Sequence, residues 1–248
     1  MQDYDSEFYA DRDARTRFAA ETILSIVQRA IPQIRSAIDV GCGVGTWLNV
    51  LRERGAAEIL GIDGDWVDPQ ALVIPSECFA RIDLSKDDIR SDNKYDLVIS
   101  LEVAEHLPRE RARHFVNQLT RIGDFILFSA AIPEQGGANH LNEQWPEYWV
   151  GSFGERGYRM FDIVRRDVWQ DDRIAVHYRQ NILLFVKNER VGDMAISNRE
   201  SSAALALVHP KLYLNKIKEL RNPTIPQSVG LLAAAIMRRV RRDLGIRS

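Results

Sequence analysis

The sequence predicts a doubly wound α/β fold, a mostly parallel sheet with helices on both faces. Three observations predict it: short apolar runs alternate with helical patterns between residues 36 and 187, a glycine-rich turn follows the first run, and acids stand where successive runs end. Such alternation requires crossover helices, and ligands of these sheets bind beyond the carboxyl ends of the strands.

The elements follow in order. Residues 16–30 set Phe18, Ile23, Ile26, Val27 and Ala30 at helical spacing, and Pro32 stops the pattern. Residues 36–40 (SAIDV) read as a buried strand, and 45–54 as a helix capped by Gly55. Residues 58–62 form a strand ending on Asp63, 78–82 a short one ending on Asp83, and 95–101 (YDLVISL) one covered on both faces. Helix is expected at 108–121, strand at 124–130, helix at 144–156, extended chain at 158–164, and a buried strand at 182–187.

The 248 residues suffice for one sizeable domain with appendages, and 45% apolar with 27% charged residues is the composition of a packed globular chain. The boundaries read as a main domain over 1–190, a linker with a short helix over 191–227, and a basic amphipathic helix over 228–248. Net charge is −2, but from His209 onward nine Lys and Arg face only Glu219 and Asp243, so that segment carries +7. The acidic remainder is a poor surface for nucleic acid, and none is expected as a partner. Cys42 and Cys78 stand apart, outside any zinc-like or disulfide pattern. The polar, acidic start and the absence of a long apolar run point to a cytoplasmic protein.

Chemistry is concentrated in Asp39-Val40-Gly41-Cys42-Gly43-Val44-Gly45-Thr46. Glycines let backbone approach a ligand closely. A dinucleotide fingerprint wants its third glycine at 46, where Thr46 stands, and this disfavours a nicotinamide cofactor. Asp63, twenty-two residues beyond Gly41, is placed to accept from both hydroxyls of a ribose, and Asp83 to face an adenine edge.

In this order the motifs resemble those of class I S-adenosylmethionine (SAM)-dependent methyltransferases, over roughly residues 16–187. The resemblance implies a Rossmann-like sheet of seven strands with one antiparallel edge strand, SAM as cofactor, and Asp39, Gly41, Gly43, Gly45, Asp63, Gly64, Asp83, Leu84 and Glu102 as its contacts.

The fourth strand runs into Leu101-Glu102-Val103-Ala104-Glu105-His106. On a helical turn Glu102, Glu105 and His106 would share a face, and His140, in the loop after the next strand, would reach the same place. Glu102, Glu105, His106 and His140 are thus candidate ligands for a divalent ion such as Mg, Mn or Zn. The set is similar to that of the small-RNA 2'-O-methyltransferases. Metal-free methyltransferases of the ubiquinone-biosynthesis type carry the same Glu-x-x-Glu-His pattern, so His106, His140 and Glu105 stand equally as an acid–base set, with His106 or His140 as base.

Residues 139–149 mix amides, acids and aromatics, giving Asn142, Glu143, Trp145 and Trp149, with Tyr178 further on, as candidate substrate contacts. Trp145 and Trp149, four apart, would equally bury one helical face. These stretches resemble methyltransferases encoded with glycan-assembly enzymes, which implies a sugar hydroxyl in a glycan or nucleotide-sugar precursor as acceptor. A phenolic or quinone-type acceptor is the second reading, and a SAM-binding regulator without catalysis the third.

In the tail, Val229, Leu232, Ala233, Ile236, Val240 and Leu244 recur at helical steps, with Arg238, Arg241 and Arg242 off the stripe. Such a helix rests on the inner face of a membrane, packs on its own domain, or joins a sister subunit in a homodimer.

Overall fold

A computed structural model describes residues 6–31, 33–91, 93–195 and 206–243; Pro32 and Leu244 lie outside the described residues. The chain divides into two compact units, Met1–Leu207 and Val208–Ser248. The division falls after the expected boundary at 190.

The first unit runs α1 (Ser6–Ala30), β1 (Ser36–Val40), α2 (Thr46–Glu53), β2 (Glu58–Asp63), β3 (Phe79–Arg81), β4 (Leu97–Leu101), α3 (Ala112–Ile122), β5 (Phe125–Ser129), α4 (Pro146–Gly154), β6 (Tyr158–Phe161), α5 (Arg165–Val168), α6 (Val176–Asn181) and β7 (Leu183–Lys187). The second holds α7 (Pro210–Arg221) and α8 (Ile225–Asp243). The strands form one sheet in the order β3-β2-β1-β4-β5-β7-β6. Neighbours pair in parallel except around β7, which runs antiparallel to β5 and β6 near one edge.

Alternate strand residues face opposite sides, and each side has its own core. Leu97, Ile99, Leu127 and Leu184 pack with Ile23 and Val27 of α1 and Leu48 and Leu51 of α2. Val98, Ile126, Phe128 and Phe185 pack with Phe115 and Leu119 of α3 and Phe153 of α4. Covering both faces explains why β4 and β5 read as unbroken apolar runs. Phe153 and Phe185 stack at 4.0 Å, and truncating such a ring to alanine costs about 3–5 kcal/mol.

Several expected elements change. Extended chain ends at Phe161 instead of 164, and residues 165–168 and 176–181 are helical. The short helix expected within 191–227 is the twelve-residue α7. Helix α8 starts at Ile225, with Pro226 in its first turn, where proline's missing N–H costs no helical hydrogen bond.

Strand order reverses between β1 and β4, which lie side by side with Asp39 opposite Ile99. That reversal opens a crevice at the carboxyl ends, where the glycine loop and the acids stand.

Candidate active site at the carboxyl ends of the strands

The glycine loop leaves β1 with both Gly41 and Cys42 donating to the Ile62 carbonyl, which ties it to β2. Gly43 and Gly45 have φ of 54° and 88°, in the left-handed region that glycine tolerates best. A Cβ on Gly45 would lie 2.8 Å from Ile74, whereas none of the described atoms lies within 4 Å of the Cβ position of Gly43. Asp63 is buried, and its oxygens accept from the N–H groups of Gly43 and Gly64, each at 2.7 Å. A carboxylate has about four lone-pair positions, so roughly two remain for a ligand's hydroxyls. Burial, and then the negative charge of Asp63, push the Asp39 carboxyl well above the usual range. Burial likewise raises the Cys42 thiol, which makes it an inert packing group.

Asp83 turns back on its own loop. It accepts from the Ser85 N–H and hydroxyl and from the Lys86 ammonium, which hold its carboxyl down at about 2. Leu84 is buried in the core with Ile38 and Ile62.

The helical face expected to join Glu102 to Glu105 and His106 does not form. Glu102 has a φ of 56°, and only Ala104–His106 form a 3₁₀ turn. The left-handed residue sends its side chain elsewhere, and the Glu102 carboxylate accepts from Asn181 Nδ2 (3.0 Å) and Gln135 Nε2 (2.9 Å). Its N–H donates to the Ser129 carbonyl and hydroxyl. The Glu102 side chain is thus half-buried on a left-handed backbone, with neutral amides as its hydrogen-bond partners.

Glu105, His106 and His140 do converge, with one potential ligand atom from each lying within 4.8 Å of the others. Glu105 is fully buried, and neither carboxylate oxygen makes a hydrogen bond of normal geometry among the described residues, although the backbone N–H groups of Glu105 and Ala131 act on it weakly. Burial, reinforced by the charge of Glu102, pushes it up to about 9. Its carbonyl accepts from the N–H groups of Leu141 and Asn142, which draws the loop after β5 onto this turn.

The two imidazoles meet edge to face with centroids 4.8 Å apart. His106 Nδ1 lies 3.3 Å from the Asn139 carbonyl, and His140 Nδ1 lies 2.8 Å from Glu143 Oε1. Those acceptors assign a proton to Nδ1 in each ring, and for His106 they leave Nε2 as the nitrogen free to accept. Burial, and then His140, lower the His106 pKa, so the ring is neutral at neutral pH.

The candidate substrate contacts divide. Glu143 is spent on the loop, accepting from Glu134 N–H, Gly136 N–H and His140. Asn142 is buried and accepts from Gln144. Trp149 is buried and packs on Phe128 at 5.1 Å, so it belongs to the core and not to a substrate wall. Tyr178 sets its ring against Trp47 at 5.4 Å. Trp145 alone of the five is an exposed flat surface.

Residues 11–161 match the family model described as a methyltransferase domain. The chain belongs to the class I SAM-dependent methyltransferases. This methyltransferase is 24% identical over 197 residues to trans-aconitate 2-methyltransferase of Rhizobium etli, a match covering 77% of this chain and 75% of that one. It is 31% identical over 97 residues to chloroplastic tocopherol O-methyltransferase of Arabidopsis thaliana, covering 36% of this chain and 27% of that one. Among solved structures, Streptomyces venezuelae DesVI superposes with a TM-score of 0.55 at 14% identity over 73% of this chain and 95% of that one. The plantazolicin methyltransferase BpumL does so at 0.52 and 17% identity, over 74% and 89%. At these identities the two structures share a fold with this methyltransferase.

The residues present fit SAM. Gly43 leaves open space above the loop, Asp63 keeps acceptor positions, and Glu102 offers a charge to a cationic ligand. Trp66 stands beside Asp63 without a role read from the sequence. Its ring covers Gly64, where a Cβ would collide with the indole, and it is 75% exposed three residues beyond Asp63. An exposed tryptophan next to a candidate ribose acid was the signal available.

Proposed function

We propose that this methyltransferase carries its methyl group to oxygen, and that the acceptor is a sugar hydroxyl in a glycan or nucleotide-sugar precursor. The observation that carries the first part is the His106 imidazole, whose Nδ1 is pinned on the Asn139 carbonyl and whose Nε2 is left as an acceptor, with His140 set edge-on against it. SAM supplies an electrophilic methyl group on a sulfonium. A sugar hydroxyl must lose its proton during attack, so a base within reach is required. His106 is exposed and neutral, and takes the proton on Nε2. The bond from Nδ1 to the Asn139 carbonyl strengthens as the ring becomes positive. His140, backed by Glu143, holds the His106 ring in place. Glu102 fixes the cofactor's cationic end, and Asp63 its ribose, so that donor and acceptor meet in line. Asp83, its carboxylate engaged by Lys86 and Ser85, would act at the adenine end only by shaping its loop. The exposed indole of Trp145 supports the second part, because it offers a flat face to sugar C–H groups.

A second reading rests on Glu105. Glu105, protonated at neutral pH on its own, would give up that proton to a divalent cation and, with the two imidazoles beside it, supply the ion's ligands. Glu105, His106 and His140 would hold such an ion, which would supply Lewis-acid chemistry to the acceptor hydroxyl. Elemental analysis with activity measured after chelation separates the two readings, and full activity in metal-free protein ends the second.

The acceptor is tested by mass spectrometry of reactions containing SAM and a panel of nucleotide sugars, free glycans and phenols. The expected result is a sugar gaining one methyl group that etherifies a hydroxyl. Transfer to phenols alone, or to nitrogen, overturns the sugar assignment.

A further inference from the structure

We infer that α8 is a docking helix for an anionic membrane surface, lying in the headgroup plane; this goes beyond the chemistry of the active site and does not rest on it. The helix is nineteen residues long, or about 28 Å. Ile225, Val229, Leu232, Ile236 and Val240 follow one another at steps of four, three, four and four, which aligns them on one side. All five are exposed, between 44% and 82%. A stripe of this kind in a soluble domain normally faces a core.

Charge decides what covers it. Residues 209–248 carry +7, and four of the nine cations are Arg238, Arg239, Arg241 and Arg242 of this one helix. Two copies of so basic a segment repel each other, which disfavours a homotypic helix pair. Anionic lipid supplies the opposite sign together with an apolar layer for the stripe. No helix among the described residues is long and apolar enough to cross a membrane, so the mode is lying on the surface.

The test is co-sedimentation of the full chain with vesicles of phosphatidylcholine alone and with about one third phosphatidylglycerol. At least tenfold stronger binding to the anionic vesicles is expected, falling by a similar factor between about 0.05 and 0.5 M salt as counterions screen the surface. Leu232→Asp with Ile236→Asp removes the stripe, and Arg238→Glu with Arg241→Glu reverses the charge without touching it; each should lose the binding at least tenfold. SAM affinity by calorimetry should be unchanged in both, which shows that the catalytic unit is intact. Absence of binding, equal binding to neutral and anionic vesicles, or binding that survives both double variants overturns the proposal. So does a concentration-dependent dimer that the stripe variant abolishes while vesicle binding stays absent.

Discussion

At the scale of single residues, each Asp63 oxygen holds a loop N–H, and we propose that each also accepts a ribose hydroxyl of the cofactor. Asp63→Ala should therefore weaken SAM binding by about a hundredfold, two charge-assisted hydrogen bonds of roughly 1.5–3 kcal/mol each being enough for that. Calorimetric titration measures it, and unchanged affinity would show that the cofactor lies elsewhere. Glu143→Gln tests the histidines differently. It keeps the shape but weakens the loop anchor and the partner of His140, so kcat should fall about tenfold or more with KM for SAM nearly constant. A KM effect alone would place Glu143 outside the proton path. The glycine loop and Asp63 were legible in sequence because strand, turn and helix are consecutive there. Glu102 was not, because its direction depends on a φ of 56° and on Asn181, 79 residues away.

At the scale of elements, the strands were legible because both faces of the sheet are covered and their apolar runs are continuous. Helices α5 and α6, of four and six residues, are too short to display a period of 3.6, and tertiary packing places them. Trp149 shows the same limit, because helical spacing alone cannot tell a core ring from a substrate wall. Cross-strand ties escape sequence altogether. Asp124, just before β5, pairs with Lys94 at 2.9 Å and Arg190 at 3.3 Å. Burial alone would raise its carboxyl, yet Lys94, Lys187 and Arg190 outweigh it and hold it below the usual range. A depressed carboxylate stabilises the fold above its unfolded pKa and loses that contribution as pH falls through the folded value. Asp124→Asn should thus cost on the order of 1 kcal/mol at neutral pH, with the gap to the parent closing below about pH 3.5. Denaturant unfolding at both pH values checks it, and a pH-independent gap would mean that charge is not the cause.

At the scale of the whole molecule, the cores and the active-site cluster belong to one unit and the basic charge to the other. Every residue of the two apolar cores lies between Ala19 and Met194. The family match ends at 161, and the acids, glycines and histidines of the site all precede the division at 207. A chain cut after Leu207 keeps every candidate site residue and gives up nine cations and two acids, a net +7, together with the α8 stripe. It should unfold cooperatively, with a thermal midpoint within a few degrees of the parent, because no described residue of the removed segment belongs to either core. SAM affinity should stay within about twofold, a change of roughly 0.4 kcal/mol. Vesicle binding should disappear. Methyl transfer to a water-soluble acceptor should persist, whereas transfer to an acceptor embedded in anionic vesicles should fall with the lost local concentration. If the shortened chain instead lost SAM affinity, the second unit would be part of the catalytic fold, and the split between chemistry and location would have to be abandoned.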